Sequence, residues 1–201
     1  MFNWYQYIDY AMIKTVKKNT SLYRQGERID GFYYVHQGTI SISVLREDGY
    51  ERIIDLVYPG SLIGEQMING SASFTNANAL IASTLYYFST EQFELLSKND
   101  QEASHQFGLS LISKVRLMAN INTILNAPVD VQLAHFLLHL AKKKQTKNIS
   151  INQTSLSKYI GKSRVSIWKV LKEWRQDGLI EMERQQIILN DLDKISDIGS
   201  F

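Results

Sequence analysis

The chain has 201 residues, 44% of them apolar, no cysteine and a net charge of +2. The length allows one large core or two small ones, and the lack of cysteine excludes disulfides, a thiolate switch and a cysteine-ligated iron–sulfur cluster. No apolar run approaches the roughly 18 residues needed to cross a bilayer, and residues 1–10 lack the charged and apolar blocks of a secretory leader, so a cytoplasmic protein with no membrane partner is expected.

The charge is unevenly shared. Residues 1–127 carry 10 basic and 12 acidic side chains, a balance of −2, and residues 128–201 carry 12 and 8, a balance of +4. Only the C-terminal part has the balance expected of a nucleic-acid binder.

From about residue 12 to residue 88 the chain reads as β-structure. Short apolar segments at 22–23, 32–35, 39–45, 53–57 and 79–88 alternate with glycines, each read first as a backbone bend. Residues 39–44 alternate strictly between apolar and polar, the period of a half-buried strand. Glu47, Asp48 and Gly49 make a hairpin turn to the next strand. Many short strands at this spacing predict a sandwich or jelly roll.

A long helix is predicted over about 101–126. Leu111, Val115, Met118, Asn122 and Leu125 follow 4-3-4-3 spacing, a coiled-coil seam, and a single Asn on such a seam fixes register and strand number at some cost in stability. A second stripe, Ile112, Leu117, Ile121 and Ile124, is expected to pack on the chain's own sheet. A parallel homodimer is the reading of the seam; one helix buried within a monomer is the alternative. Pro128 ends this helix and marks a hinge.

Residues 151–189 read as helix, glycine turn, basic helix and hairpin. Asn152 is a good N-cap, Leu156 and Ile160 follow at helical spacing, and Gly161 supplies the sharp exit. Ser163 caps the next helix, in which Ile167, Val170, Leu171 and Trp174 make one buried stripe. Between residues 158 and 175 six cations, Lys158, Lys162, Arg164, Lys169, Lys172 and Arg175, stand against one acid, Glu173. Such a run repels itself unless something anionic faces it. The order of parts and the charge placement are those of a winged helix-turn-helix on duplex DNA. Arg164 and Lys169 are the candidates for base edges. Thr154, Ser155, Lys158, Lys162, Lys172 and Arg175 are candidates for phosphates, which set register.

Histidine offers little else. His135 and His139 have chelating i, i+4 spacing, but they lie on the polar side of a helix without flanking carboxylates and are read as exposed. His36, alone in the β region, is read as a loop residue, with haem ligation left open. A metal-dependent jelly-roll enzyme needs a histidine cluster, so no metal site, no catalytic residue and no enzymatic activity are expected.

These motifs, in this order, resemble the Crp/Fnr-type transcription regulators over nearly the whole chain. The resemblance rests on Tyr23-Arg24-Gln25-Gly26-Glu27, on Phe32-Tyr33-Tyr34-Val35 with Gly38, and on Gly60-Ser61-Leu62-Ile63-Gly64-Glu65. It continues in Leu133-Ala134, Leu137-Leu138 and Leu140-Ala141-Lys142, then in 160–166, Leu171-Lys172-Glu173, Gly178-Leu179-Ile180 and the wing strand 187–189. It implies an α+β chain: a β-roll, jelly-roll-like sensor over 1–100, a dimerisation helix over 101–127 and a winged helix-turn-helix over 128–201. It also implies a near-palindromic operator, contact with RNA polymerase and an effector pocket at Gly64, Glu65, Gln66, Ser73, Thr75 and Asn76. Ser163, Val165, Ser166 and Trp168 join the DNA-facing set by the same resemblance.

Departures from the family pattern bear on mechanism. Cyclic-nucleotide-binding members carry an Arg after Gly-Glu that neutralises the cyclic phosphate. Glu65 is positioned by the motif to accept from a ribose hydroxyl, yet residues 68–78 contain no Arg or Lys. A buried phosphate there loses its charge-assisted partner, so tight binding of cyclic AMP is not expected. No cofactor is expected either, and a different small-molecule effector is left open. Val165 replaces the Glu common beside the first Arg and offers only apolar contact, for instance to a thymine methyl. Trp168 is bulky where a small residue is common. The alternative function is a small-molecule or peptide binding module with a β-roll pocket, in which DNA binding is secondary.

Overall fold

Strand β3 (Gly31–Gln37) sets the plan of the first part of the chain, because its side chains alternate between two cores. Tyr33 and Val35 point into one with Leu22, Tyr23, Ile40, Val57, Ile63 and Leu85, while Phe32 and Tyr34 point into the other with Trp4, Tyr7, Phe88, Leu96 and Phe107. In this computed structural model residues 4–45, 47, 49, 51–183 and 186–199 are described. The chain divides into two compact units, Met1–Met118 and Ala119–Phe201.

The first unit is built on two four-stranded antiparallel sheets. β1 (Met12–Val16), β8 (Ser83–Ser89), β3 and β6 (Leu62–Ile63) form one, in that order; β2 (Ser21–Tyr23), β7 (Asn76–Ala79), β4 (Ile40–Leu45) and β5 (Glu51–Val57) form the other. The first core lies between them. The second covers the outer face of the β3 sheet with a 3-10 turn (Trp4–Tyr10), α1 (Thr90–Asn99) and the start of α2 (Gln101–Ile124). Edge-to-face aromatic pairs hold it: Trp4 with Phe32 at 5.4 Å and with Phe88 at 5.3 Å between ring centroids.

Several expectations change here. The apolar run 79–88 is not one strand: β7 ends at Ala79 in one sheet and β8 begins at Ser83 in the other. A chain that changes sheets keeps its apolar character, so periodicity does not mark the break. β4 turns Ile40 and Ile42 to the core, but its serines are covered too. Ser41 Oγ donates to Asn78 O (3.2 Å) and Ser43 Oγ to a Glu51 carboxylate oxygen (2.7 Å). Asp48 of the predicted hairpin turn lies outside the described residues, although β4 and β5 pair on either side of it. His36 lies in β3 and not in a loop, stacked on Tyr5 at 4.9 Å.

α2 buries Ala103, Phe107 and Ser110. Of the second stripe, expected to pack on the sheet, Ile112 is 49% exposed, while Leu117, Ile121 and Ile124 are half-buried. The inward positions are 103, 107, 110 and 114, a 4-3-4 spacing that a serine and a lysine hide from an apolar pattern.

The second unit contains α3 (Val129–Lys144), β9 (Asn148–Ser150), α4 (Gln153–Ile160), α5 (Arg164–Gln176), β10 (Ile180–Glu183), β11 (Gln186–Leu189) and α6 (Leu192–Gly199). The strands form a sheet in the order β10-β11-β9. Pro128 stands at the N-cap of α3. Leu133, Leu137, Leu140, Leu156, Ile160, Ile167, Leu171 and Trp174 are buried in this unit. Phe136 of α3 meets the Tyr159 ring of α4 at 4.2 Å. α1, α6 and the 3-10 turn were not among the predicted elements.

Candidate nucleic-acid interface and sensor turn

Local chemistry places α4 and α5. The Asn152 side chain accepts from the Ser155 amide at 2.8 Å and caps α4. Gly161, at φ 72°, ends it in the left-handed conformation that only glycine adopts without strain. Two residues on, Ser163 Oγ accepts from the Ser166 amide at 3.1 Å and starts α5. Each cap is worth about 1 kcal/mol, and together they set a helix pair joined by a tight turn.

α5 has two opposed faces. Ile167, Leu171 and Trp174 are buried, while Arg164, Val165, Trp168, Lys169, Lys172 and Arg175 are exposed. Lys162, Arg164, Lys169, Lys172 and Arg175 make no ion pair among the described residues. No acid occupies the first turn of α4 or α5. Arg164 instead adds a cation to the positive end of the α5 dipole, where an acid would stabilise the helix. The placement makes sense for an anion arriving from outside. Thr154, Lys162, Ser163 and Ser166 are exposed, and Ser155 and Lys158 are half-buried.

The predicted effector residues are bonded among themselves. Gln66 Nε2 donates to Ser73 Oγ and Thr75 Oγ1, both at 3.2 Å, and Ser73 Oγ donates to Thr75 O at 2.7 Å. Asn76 Oδ1 accepts from the Gln25 amide at 2.9 Å. Burial raises the Tyr23 phenol well above its ordinary value, opposed by its hydrogen bonds with Thr75 and Gln66. Gly64, at φ 89°, turns the chain into Glu65.

Glu65 is engaged from α2. Its buried carboxylate accepts from Ser110 Oγ at 2.8 Å and from Lys114 Nζ, which also donates to Leu62 O at 2.9 Å. Sequence reasoning missed both α2 residues. Their only signal was the 4-3-4 spacing from Ala103 and Phe107.

One residue further round α2, the seam residues face outward. Leu111, Val115 and Met118 are exposed, Val115 at 68%; Asn122 is exposed and Leu125 half-buried. His135 and His139 are exposed, and no cluster of three metal-ligating side chains occurs among the described residues. Among the described residues no helix is long and apolar enough to cross a membrane.

Comparison with known proteins matches two family descriptions, a cyclic nucleotide-binding domain over residues 13–100 and a Crp-like helix-turn-helix domain over residues 131–198. The transcriptional activator protein Anr of Pseudomonas protegens is 23% identical over 186 residues, covering 89% of this chain and 76% of that protein. The transcriptional regulator LdrP of Thermus thermophilus is 24% identical over 189 residues, covering 90% and 93%. Among solved structures, FixK2 from Bradyrhizobium japonicum shares the fold with a TM-score of 0.83 at 17% identity, over 95% of this chain and 98% of that one.

Proposed function

This chain belongs to the Crp/Fnr-type transcription regulators, and from that premise we propose that it reads a near-palindromic operator as a homodimer, without cyclic AMP. The observation that carries the reading is the outward face of α5, where exposed cations stand opposite a buried stripe with no acid in the first turn. Arg164 has the reach and the paired donors to chelate guanine, a contact worth about 1–3 kcal/mol of discrimination. Lys172 and Arg175, further along the helix, take phosphates.

Two copies are needed for affinity and for selectivity. The exposed Leu111, Val115 and Met118 supply the seam that brings two α2 helices together. Bound operator acts on transcription through contact with RNA polymerase, in the cytoplasm and with no chemical step of its own. The sensor's polar side chains are spent on each other and on α2, and no cation stands in 68–78 to meet a cyclic phosphate. A binding module with incidental DNA affinity is not favoured, because both halves of the chain match the regulator pattern.

Selection from a random duplex pool tests this reading. The wild-type protein enriches a two-fold symmetric site, and Arg164→Ala relaxes the preference at one base pair per half-site while Lys172→Ala weakens all sequences alike. A pool without enrichment contradicts the proposal.

A further inference from the structure

α5 exposes two large apolar side chains in the middle of its cationic face. Val165 is 79% exposed and Trp168 is 43% exposed. Trp168 makes no ring contact or hydrogen bond among the described residues. The other two tryptophans are buried, Trp4 at 0% and Trp174 at 4%. Leaving an indole half in water on a helix whose opposite face fills a core is unfavourable. Nothing in the packing of this unit requires it, since Ile167, Leu171 and Trp174 already hold α5 in place.

Helical geometry puts the pair inside the charged surface. Arg164, Trp168 and Lys172 stand at i, i+4 and i+8 on one ridge, and Val165 and Lys169 stand at i and i+4 on the next. Any occupant of this apolar patch is therefore ringed by cations and must combine apolar points with a polyanionic frame. The major groove of duplex DNA does so at one base: thymine presents its 5-methyl group there, beside phosphates on both strands.

We infer that Val165 and Trp168 form an apolar reader for the 5-methyl groups of neighbouring thymines in each half-site. This rests on the DNA-reading function proposed above and names which bases the apolar part of α5 selects. Arg164 reads a guanine edge, and the Val165–Trp168 pair favours thymine over cytosine at the adjoining positions, because cytosine offers no methyl for the apolar pair to cover.

The experiment uses the full-length protein and the operator obtained by random-sequence selection. Each thymine is replaced in turn by deoxyuridine, which deletes the methyl and changes no hydrogen-bonding group. Affinity is expected to fall about fourfold for each methyl in contact, the worth of one buried carbon, at neighbouring positions of the half-site. Val165→Ala and Trp168→Ala each remove the penalty at one of those positions. In parallel, acrylamide quenching of the exposed indole falls when operator is added, and Trp168→Phe removes the quenchable emission. Two results overturn the inference while leaving the DNA-reading function standing. One is specific binding with no deoxyuridine penalty at any thymine; the other is a penalty that persists in both alanine variants. A protein that selects no operator overturns both.

Discussion

Lys114 of α2 donates to the buried carboxylate of Glu65, the residue that follows the left-handed glycine of the sensor turn. The Glu65 side chain is 1% exposed and that of Lys114 33%, so the carboxylate depends on its partners for solvation. Ser110 supplies the second donor. Removing one partner of a buried pair leaves the other uncompensated. Lys114→Met is expected to cost about 3 kcal/mol, the low end for such a change because the ammonium is partly solvated. Adding Glu65→Gln, whose amide oxygen still accepts from Ser110, recovers most of it. Urea denaturation measures both, and a Lys114→Met variant as stable as wild type contradicts the account.

The same bond bears on the effector. A ligand hydroxyl that sought Glu65 must share a carboxylate already engaged by Ser110 and Lys114, and its phosphate would meet no cation in 68–78. Titration calorimetry with cyclic AMP is expected to give no binding in the micromolar range. Micromolar or tighter binding contradicts this.

The seam on α2 is expected to carry both dimerisation and operator binding. Leu111→Lys with Met118→Lys puts two charges into the apolar stripe. Sedimentation velocity then reports monomers, and operator affinity falls by at least a hundredfold. A monomer that still binds tightly rules out the symmetric pair as the source of affinity.

Alkaline pH probes the tyrosine-rich first unit. Burial pushes the Tyr58 phenol up to about 12, and burial likewise raises Tyr7, Tyr23, Tyr34 and Tyr87. In the unfolded chain these phenols ionise near about 10. Above that value the folded state keeps protons that the unfolded state has lost. Their contribution to stability is therefore complete below about pH 10 and drains away as pH rises toward about 12. The urea midpoint is expected to decline over that window, with tyrosinate absorbance of the folded protein lagging behind that of the unfolded. Simultaneous titration of all 11 tyrosines in a still-folded protein contradicts the burial argument.

How legible the chain is depends on the range of the interaction. The α4–α5 pair could be read from Asn152, Gly161 and Ser163 because caps and left-handed turns are decided within four residues. The strands of the sandwich showed as apolar segments, but Leu80, Ile81 and Ala82 carry the chain between sheets without any change in apolar character. The engagement of Glu65 depends on Ser110 and Lys114, 45 and 49 positions away. Neither looks like a core residue, so Ile112 stands in the expected stripe where Ser110 and Lys114 face inward, although Leu117, Ile121 and Ile124 of that stripe are half-buried. Gly38 makes His36 read as a loop residue, whereas β3 runs on to Gln37.

In the proposed dimer one basic helix is presented twice, at a fixed separation, to one face of a duplex. A spacing series measures this directly by gel shift, with the selected half-sites held constant and base pairs inserted between their centres. Affinity is expected to peak with centres about one turn apart, roughly 34 Å, and to collapse when about five base pairs, half a turn, are added. Equal affinity at every spacing would contradict the claim.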